Sequence, residues 1–166
     1  MAVAALVGIF ASSANGRGHE FESKKCRGGM MVKNEHEIVI NCPTERAFQF
    51  VTDLEAWNQW HGSGKAERTT PGSADVGTVW KVTGQVQGQP ITVTIEVTSY
   101  EPNRRFGIKT TSGPIQAQQV FTFEPTDGGT RLATVLELAD PRMAQPAWEQ
   151  WEKDLLTLKE LLEAPE

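Results

Sequence analysis

The side chains best able to do chemistry in this sequence are His61, Gln119 and Thr134. His61 precedes Gly62-Ser63-Gly64, a run flexible enough to present an imidazole at a pocket mouth as a general base. Proton transfer needs a positioned partner, however, and the pattern assigns no Asp or Glu to an inward face nearby. The plainer expectation for His61 is a solvated loop histidine. Gln119 and Thr134 fall at inward positions of adjacent strands, where an unpartnered buried amide or hydroxyl costs about 1 to 3 kcal/mol. Their partner is either a ligand's carbonyl or hydroxyl, or each other, the backbone or a trapped water.

Other reactive residues suggest less. His36 reads as a residue at the end of strand one. Arg104 and Arg105 sit at a turn, in water or facing an anionic head group. No Cys/His spacing suits zinc, no glycine-rich loop opens a helix after a strand, and neither Ser12 nor Ser63 has triad context, so no metal site and no cofactor is expected. The net charge of −5 and the scattering of sixteen Lys and Arg leave no basic stripe for a phosphate backbone, which excludes nucleic acid as the expected partner. The two cysteines, Cys26 and Cys42, read as free thiols in a reducing, cytoplasmic compartment.

Residues 1–34 differ in character from the rest. Ala2 to Ala11 is apolar but about half the roughly twenty residues a membrane span needs, so no integral span is expected. Ser12 and Ala14 would suit a signal-peptidase site, yet no Lys or Arg precedes the apolar run. The aperiodic stretch to Gly29 reads as a disordered leader, or as a start assigned upstream of Met30 or Met31. One domain, residues 35–163, follows.

Within it, His36, Ile38, Ile40 and Cys42 alternate with Glu37, Val39 and Asn41, the period of a strand. Pro43 suits a first helical position, Glu45 a first turn, and Ala47, Phe48, Val51 and Leu54 bury one face of a short helix. A second helical turn fits Leu54 to Trp60. From Lys65 onward strands alternate with turns: 65–70, 78–86, 89–100, 105–111, 115–124 and 130–138, with Gln87-Gly88 and Asp127-Gly128 among the hinges. Counting the first, seven strands are expected. Period two turns Ile91, Val93, Ile95 and Val97 inward, then Phe106, Ile108 and Thr110, then Ile115, Ala117, Gln119, Phe121 and Phe123, then Leu132, Thr134, Leu136 and Leu138. An antiparallel sheet with one apolar face needs a cover.

The last segment supplies one. After Pro141 and Pro146, Trp148, Trp151, Leu155, Leu158 and Leu162 recur at three and four residues, with Leu156 and Leu161 widening the stripe. Glu149, Glu152, Lys153, Lys159 and Glu160 take the other side of a helix of about four to five turns. The expected fold is α+β: a seven-stranded curved antiparallel sheet gripping a long C-terminal helix, with two short helices after strand one.

This order resembles the START-like (SRPBCC) superfamily, within it the polyketide cyclase/dehydrase and lipid-transport family. The resemblance rests on NCPTERAFQFVTD with Phe48, LEAWNQW ending in Trp60, Gly77-Thr78, the EPNRRF turn, GGTRLATVLEL and the terminal LKELLE. It implies a helix-grip fold and a tunnel for lipids, sterols, quinones or polyketide intermediates, and it supplies no universal catalytic motif. Trp60, Trp80, Phe106, Ile108, Gln119, Phe121, Thr134, Leu136, Trp148 and Trp151 are the expected ligand-binding residues, concentrated at the Trp148 end. Aromatic residues at helical spacing are more often core than a ligand box, and they can serve as both.

The leading expectation is binding or transport of a small hydrophobic molecule. The alternative is a cyclase or dehydratase in which His61, Gln119 or Thr134 shifts a proton or steadies an enolate. A third is a protein-interaction module stimulating a chaperone ATPase, which calls for an exposed apolar patch.

Overall fold

Alternation of side chains builds the sheet, and a computed structural model describes it over residues 31–62, 64–86 and 89–165. Its strands are β1 (Val32–Ile40), β2 (Lys65–Arg68), β3 (Val79–Val86), β4 (Gln89–Glu101), β5 (Arg105–Ser112), β6 (Ala117–Thr126) and β7 (Gly129–Leu138). The helices are α1 (Thr44–Thr52), a 3-10 turn (Leu54–Gln59) and α2 (Pro141–Glu163). Of the expected leader over residues 1–34, residues 1–30, with Ser12 and Cys26, lie outside the described residues, as do Ser63 and the Gln87-Gly88 hinge, while Val32, Lys33 and Asn34 belong to β1.

All seven strands form one antiparallel sheet in the order β1-β7-β6-β5-β4-β3-β2. The expected helix-grip architecture is therefore present. Only the β1 to β7 neighbourhood is non-sequential, and it brings the start of the domain beside the strand that leads into α2. β1 pairs along its whole length from Val32↔Leu138 to Ile40↔Thr130, so His36, expected at a strand end, sits mid-strand opposite Thr134. Register shifts in β4 at Thr94/Ile95 and Val97/Ser99 mark bulges, which tighten twist and help the sheet curl.

α2 covers the concave face with Ala144, Ala147, Trp148, Trp151, Asp154, Leu155, Leu158 and Leu162. It is longer than the spacing suggested, with 23 residues, because it begins at Pro141 and carries Pro146 inside. Proline fits the first turn, where its missing N–H costs nothing; Pro146 lies further in and removes one backbone bond from the N-terminal half. The Asp140 side chain caps the helix by accepting from the Arg142 N–H at 3.0 Å. At the other end the Asn41 N–H donates to Glu163 Oε1 at 2.8 Å, tying α2 to the end of β1. Leu156 and Leu161, expected to widen the buried stripe, are 58% and 38% exposed, because eight inward positions already fill the contact with the sheet.

α1 begins at Thr44, with Pro43 as its extended cap rather than its first helical residue. Its buried Phe48 meets Phe123 and Tyr100 edge to face at 5.2 and 5.4 Å. The Asp53 side chain then caps the 3-10 turn by accepting from the Glu55 N–H at 3.1 Å. The Trp57 indole N–H donates to the Val51 carbonyl at 2.7 Å, which locks that turn onto α1.

Candidate functional site

The 3-10 turn delivers Trp57, Trp60 and His61 to the concave side of the sheet. All three are buried, His61 at 3% exposure, so the expectation of a solvated loop histidine is not met. The backbone explains why: the His61 and Trp60 N–H groups both donate to the Trp57 carbonyl, at 2.7 and 3.2 Å, and this tight turn folds the imidazole inward before Gly62 releases the chain. Gly62 and Gly64 have φ of 59° and 68°, a region that glycine enters without steric cost.

A carboxylate waits for it. His61 Nδ1 lies 2.8 Å from Asp154 Oδ2, and Asp154 is 5% exposed. Asp154 Oδ1 accepts from Gln150 Nε2 at 2.9 Å, one helical turn earlier. The second expectation, that no acidic residue faces His61 from within, thus fails as well. Asp154 was legible: it stands three residues after Trp151 and four before Leu158, on the stripe that pattern reading assigns to the core. Its type hides the role, because a carboxylate on an apolar face contradicts the stripe unless a partner is known.

Aromatic rings enclose the pair. Ring centroids lie 4.8 Å from His61 to Trp151, 5.1 Å to Trp57 and 5.4 Å to Trp60. Trp60 and Trp151 touch at 5.7 Å, and Phe121 on β6 joins Trp57 and Trp151 at 6.0 Å each. Phe106 stacks on Phe121 at 6.1 Å. The structure thus brings together Trp60, Phe106, Phe121 and Trp151 from the expected set and adds Trp57, His61 and Asp154.

The remaining expected residues are buried but differently placed. Gln119 Nε2 donates to Thr134 Oγ1 at 3.2 Å, so these two polar groups satisfy each other across β6 and β7. Ile108 and Gln119 border a hollow of about 10 Å³, the size of one water. Leu136 and Trp148 are 2% and 5% exposed, covered by the sheet–helix contact. Trp80 belongs to another neighbourhood: the Arg68 guanidinium sits 5.7 Å over its ring, and it lines an open groove of about 280 Å³ with Gln49, Thr52 and Asp53. A hollow of about 300 Å³ opens at the start of α2 between Gly113, Pro114 and Met143.

Three polar atoms in the aromatic cluster are buried with no hydrogen-bond partner among the described residues: His61 Nε2, Trp60 Nε1 and Trp151 Nε1. A carboxylate oxygen only accepts, so His61 Nδ1 donates to Asp154, and in the neutral imidazole Nε2 then presents a lone pair. The cluster therefore holds one free acceptor and two free indole donors in an apolar wall. Among the described residues no group of three His, Cys, Asp or Glu side chains converges to hold a metal, and no helix is long and apolar enough to cross a membrane.

The sequence profile of the family described as "Polyketide cyclase / dehydrase and lipid transport" matches residues 31–163, and the chain belongs to that family. No curated protein matches in sequence. Among solved structures, protein CV1439 of Chromobacterium violaceum is 19% identical, with 80% of this chain and 98% of that chain covered at a TM-score of 0.67. The Zhui aromatase/cyclase of a Streptomyces species is 16% identical, covering 80% of this chain and 94% of its own at 0.67. Ara h 8.0201 is 15% identical, covering 80% and 97% at 0.65. At these identities the likeness is one of fold.

Proposed function

We propose that this member of the polyketide cyclase/dehydrase and lipid transport family binds a small hydrophobic molecule between the sheet and α2, at the cluster of Trp57, Trp60, Phe121 and Trp151. One observation carries the reading: His61 Nε2, Trp60 Nε1 and Trp151 Nε1 are buried together without protein partners among the described residues. Each such group costs about 1 to 3 kcal/mol. A core that only packs would use Leu or Phe at these positions, whereas a ligand site needs a few convergent polar groups in an apolar wall.

Family membership accords with an internal apolar site, and the free buried thiol of Cys42 accords with a reducing, cytoplasmic setting. Admission requires movement, because the cluster's rings are in contact. Pro146 supplies a weak point in the N-terminal half of α2, beside the hollow at Met143. Native mass spectrometry of the purified protein, followed by tryptophan quenching with fatty acids, quinones and fused aromatics, tests the reading. Retained apolar mass or saturable quenching is expected; neither would appear if the interior were only a core.

A second reading, chemistry of the cyclase or dehydratase type, is favoured by the His61–Asp154 pair, since a carboxylate behind an imidazole is a general-base arrangement. Under it, His61→Phe abolishes turnover of a bound polyketone while leaving its binding measurable.

A further inference from the structure

We infer that the site selects for a hydroxyl group carried on a planar apolar ring system, and that the Asp154–His61 pair sets this choice by fixing the imidazole tautomer; the inference rests on the binding reading above. The Gln150 amide donates to Asp154 Oδ1, and Asp154 Oδ2 accepts from His61 Nδ1, so in the neutral imidazole the relay from α2 leaves Nε2 as the acceptor. A carbonyl or ether oxygen offers this atom nothing. A hydroxyl donates to it, and the same oxygen accepts from an indole N–H. Trp60 and Trp151, both buried with unpartnered Nε1 among the described residues, supply such donors from two rings whose centroids lie 5.7 Å apart.

The ring shape of the ligand follows from its walls. Trp151 meets His61 at 4.8 Å with planes at 81°, and Trp57 meets it at 5.1 Å with planes at 89°. Flat, mutually perpendicular faces accept a flat guest in place of a ring that turns aside. Trp60 is placed to be that ring. It ends the 3-10 turn next to His61 and Gly62, with its ring centroid 5.4 Å from the imidazole and 5.7 Å from Trp151.

The matched probes are 2-naphthol and 2-methoxynaphthalene, which differ by whether the oxygen donates. Calorimetric titration of the full chain is expected to give at least about tenfold tighter binding of the naphthol, since an orphaned buried acceptor penalises the ether. His61→Phe is expected to bind both alike. Asp154→Asn is the sharper variant: Gln150 holds the amide oxygen, the amide nitrogen faces His61 Nδ1, and the proton moves to Nε2. The preference then reverses toward the ether. Equal affinity of the unaltered protein for the two probes overturns the hydroxyl assignment and leaves the binding site standing. An unchanged naphthol preference in Asp154→Asn overturns the tautomer relay. Failure to bind either probe removes the site and the assignment together.

Discussion

His61 Nδ1 and Asp154 Oδ2 meet at 2.8 Å across 93 residues of chain, both buried, one on the turn after the 3-10 helix and the other on the long C-terminal helix. The contact pins α2 to a turn on the other side of the sheet's six later strands in sequence, in addition to the tie from Glu163 to Asn41. Its two ends are chemically unequal. Removing the imidazole leaves a buried carboxylate without its His61 donor, whereas removing the carboxylate leaves an imidazole with one unmet N–H.

That inequality gives the first prediction. His61→Leu should cost about 3 to 5 kcal/mol of unfolding free energy and Asp154→Leu about 1 to 3. The double variant, with both polar groups replaced by apolar ones, should cost less than the sum of the two, because no orphan remains. Urea unfolding of the four proteins measures the coupling. Additive losses would show that the pair contributes nothing as a pair.

How far this was legible in the sequence depends on what each residue's pattern carries. Period-two alternation in Ile91 to Val97, and period-three-and-four spacing from Trp148 to Leu162, contain the sheet, its inner face and the covering helix, since burial is a local consequence of spacing. The partner of His61 is not local. Nothing near position 61 indicates that residue 154 will lie beside it, and the Gly-rich run after His61 has the composition of an exposed loop. The turn that folds the imidazole inward is made by backbone bonds to Trp57, which composition does not encode. Gln119 and Thr134 are legible as inward on adjacent strands, but register pairs them with Leu136 and Phe121, so their mutual bond is a diagonal contact that alternation alone does not give.

The second prediction concerns His36, whose imidazole is held below its ordinary value by burial, against a smaller upward pull from Glu152, which lies 3.7 Å away. A lowered folded value means that the unfolded chain binds the proton more readily. Stability from this residue is therefore fully present above the ordinary imidazole value of about 6.5 and is lost as pH falls through the depressed folded value. His36→Gln should flatten the decline in urea midpoint on the acid side of that value. An unchanged slope would show that His36 does not titrate differently in the two states.

Gly64 provides the third. At φ 68° it adopts a left-handed conformation, and an added Cβ would lie 2.2 Å from the Thr83 carbonyl oxygen. Gly64→Ala should cost about 2 kcal/mol or more, from backbone strain plus the displacement of β2 from β3. Gly72→Ala shares the strain, at φ 96°, but has nothing within 4 Å of its added Cβ, and should cost less. Thermal midpoints of the two variants check the order. Equal losses would show that strain alone matters and that the segment after His61 tolerates movement.

The central claim, that an apolar molecule enters the cluster around His61, is tested most directly by the indole N–H signals in a 15N-edited NMR titration with 2-naphthol. The Trp57 indole is already bonded to the Val51 carbonyl, Trp80 faces the outer groove, and the indoles of Trp60 and Trp151 have no partner among the described residues. The account predicts saturable shifts concentrated on Trp60 and Trp151, with Trp80 unmoved. Saturable binding that shifts Trp80 and leaves Trp60 and Trp151 in place would contradict it.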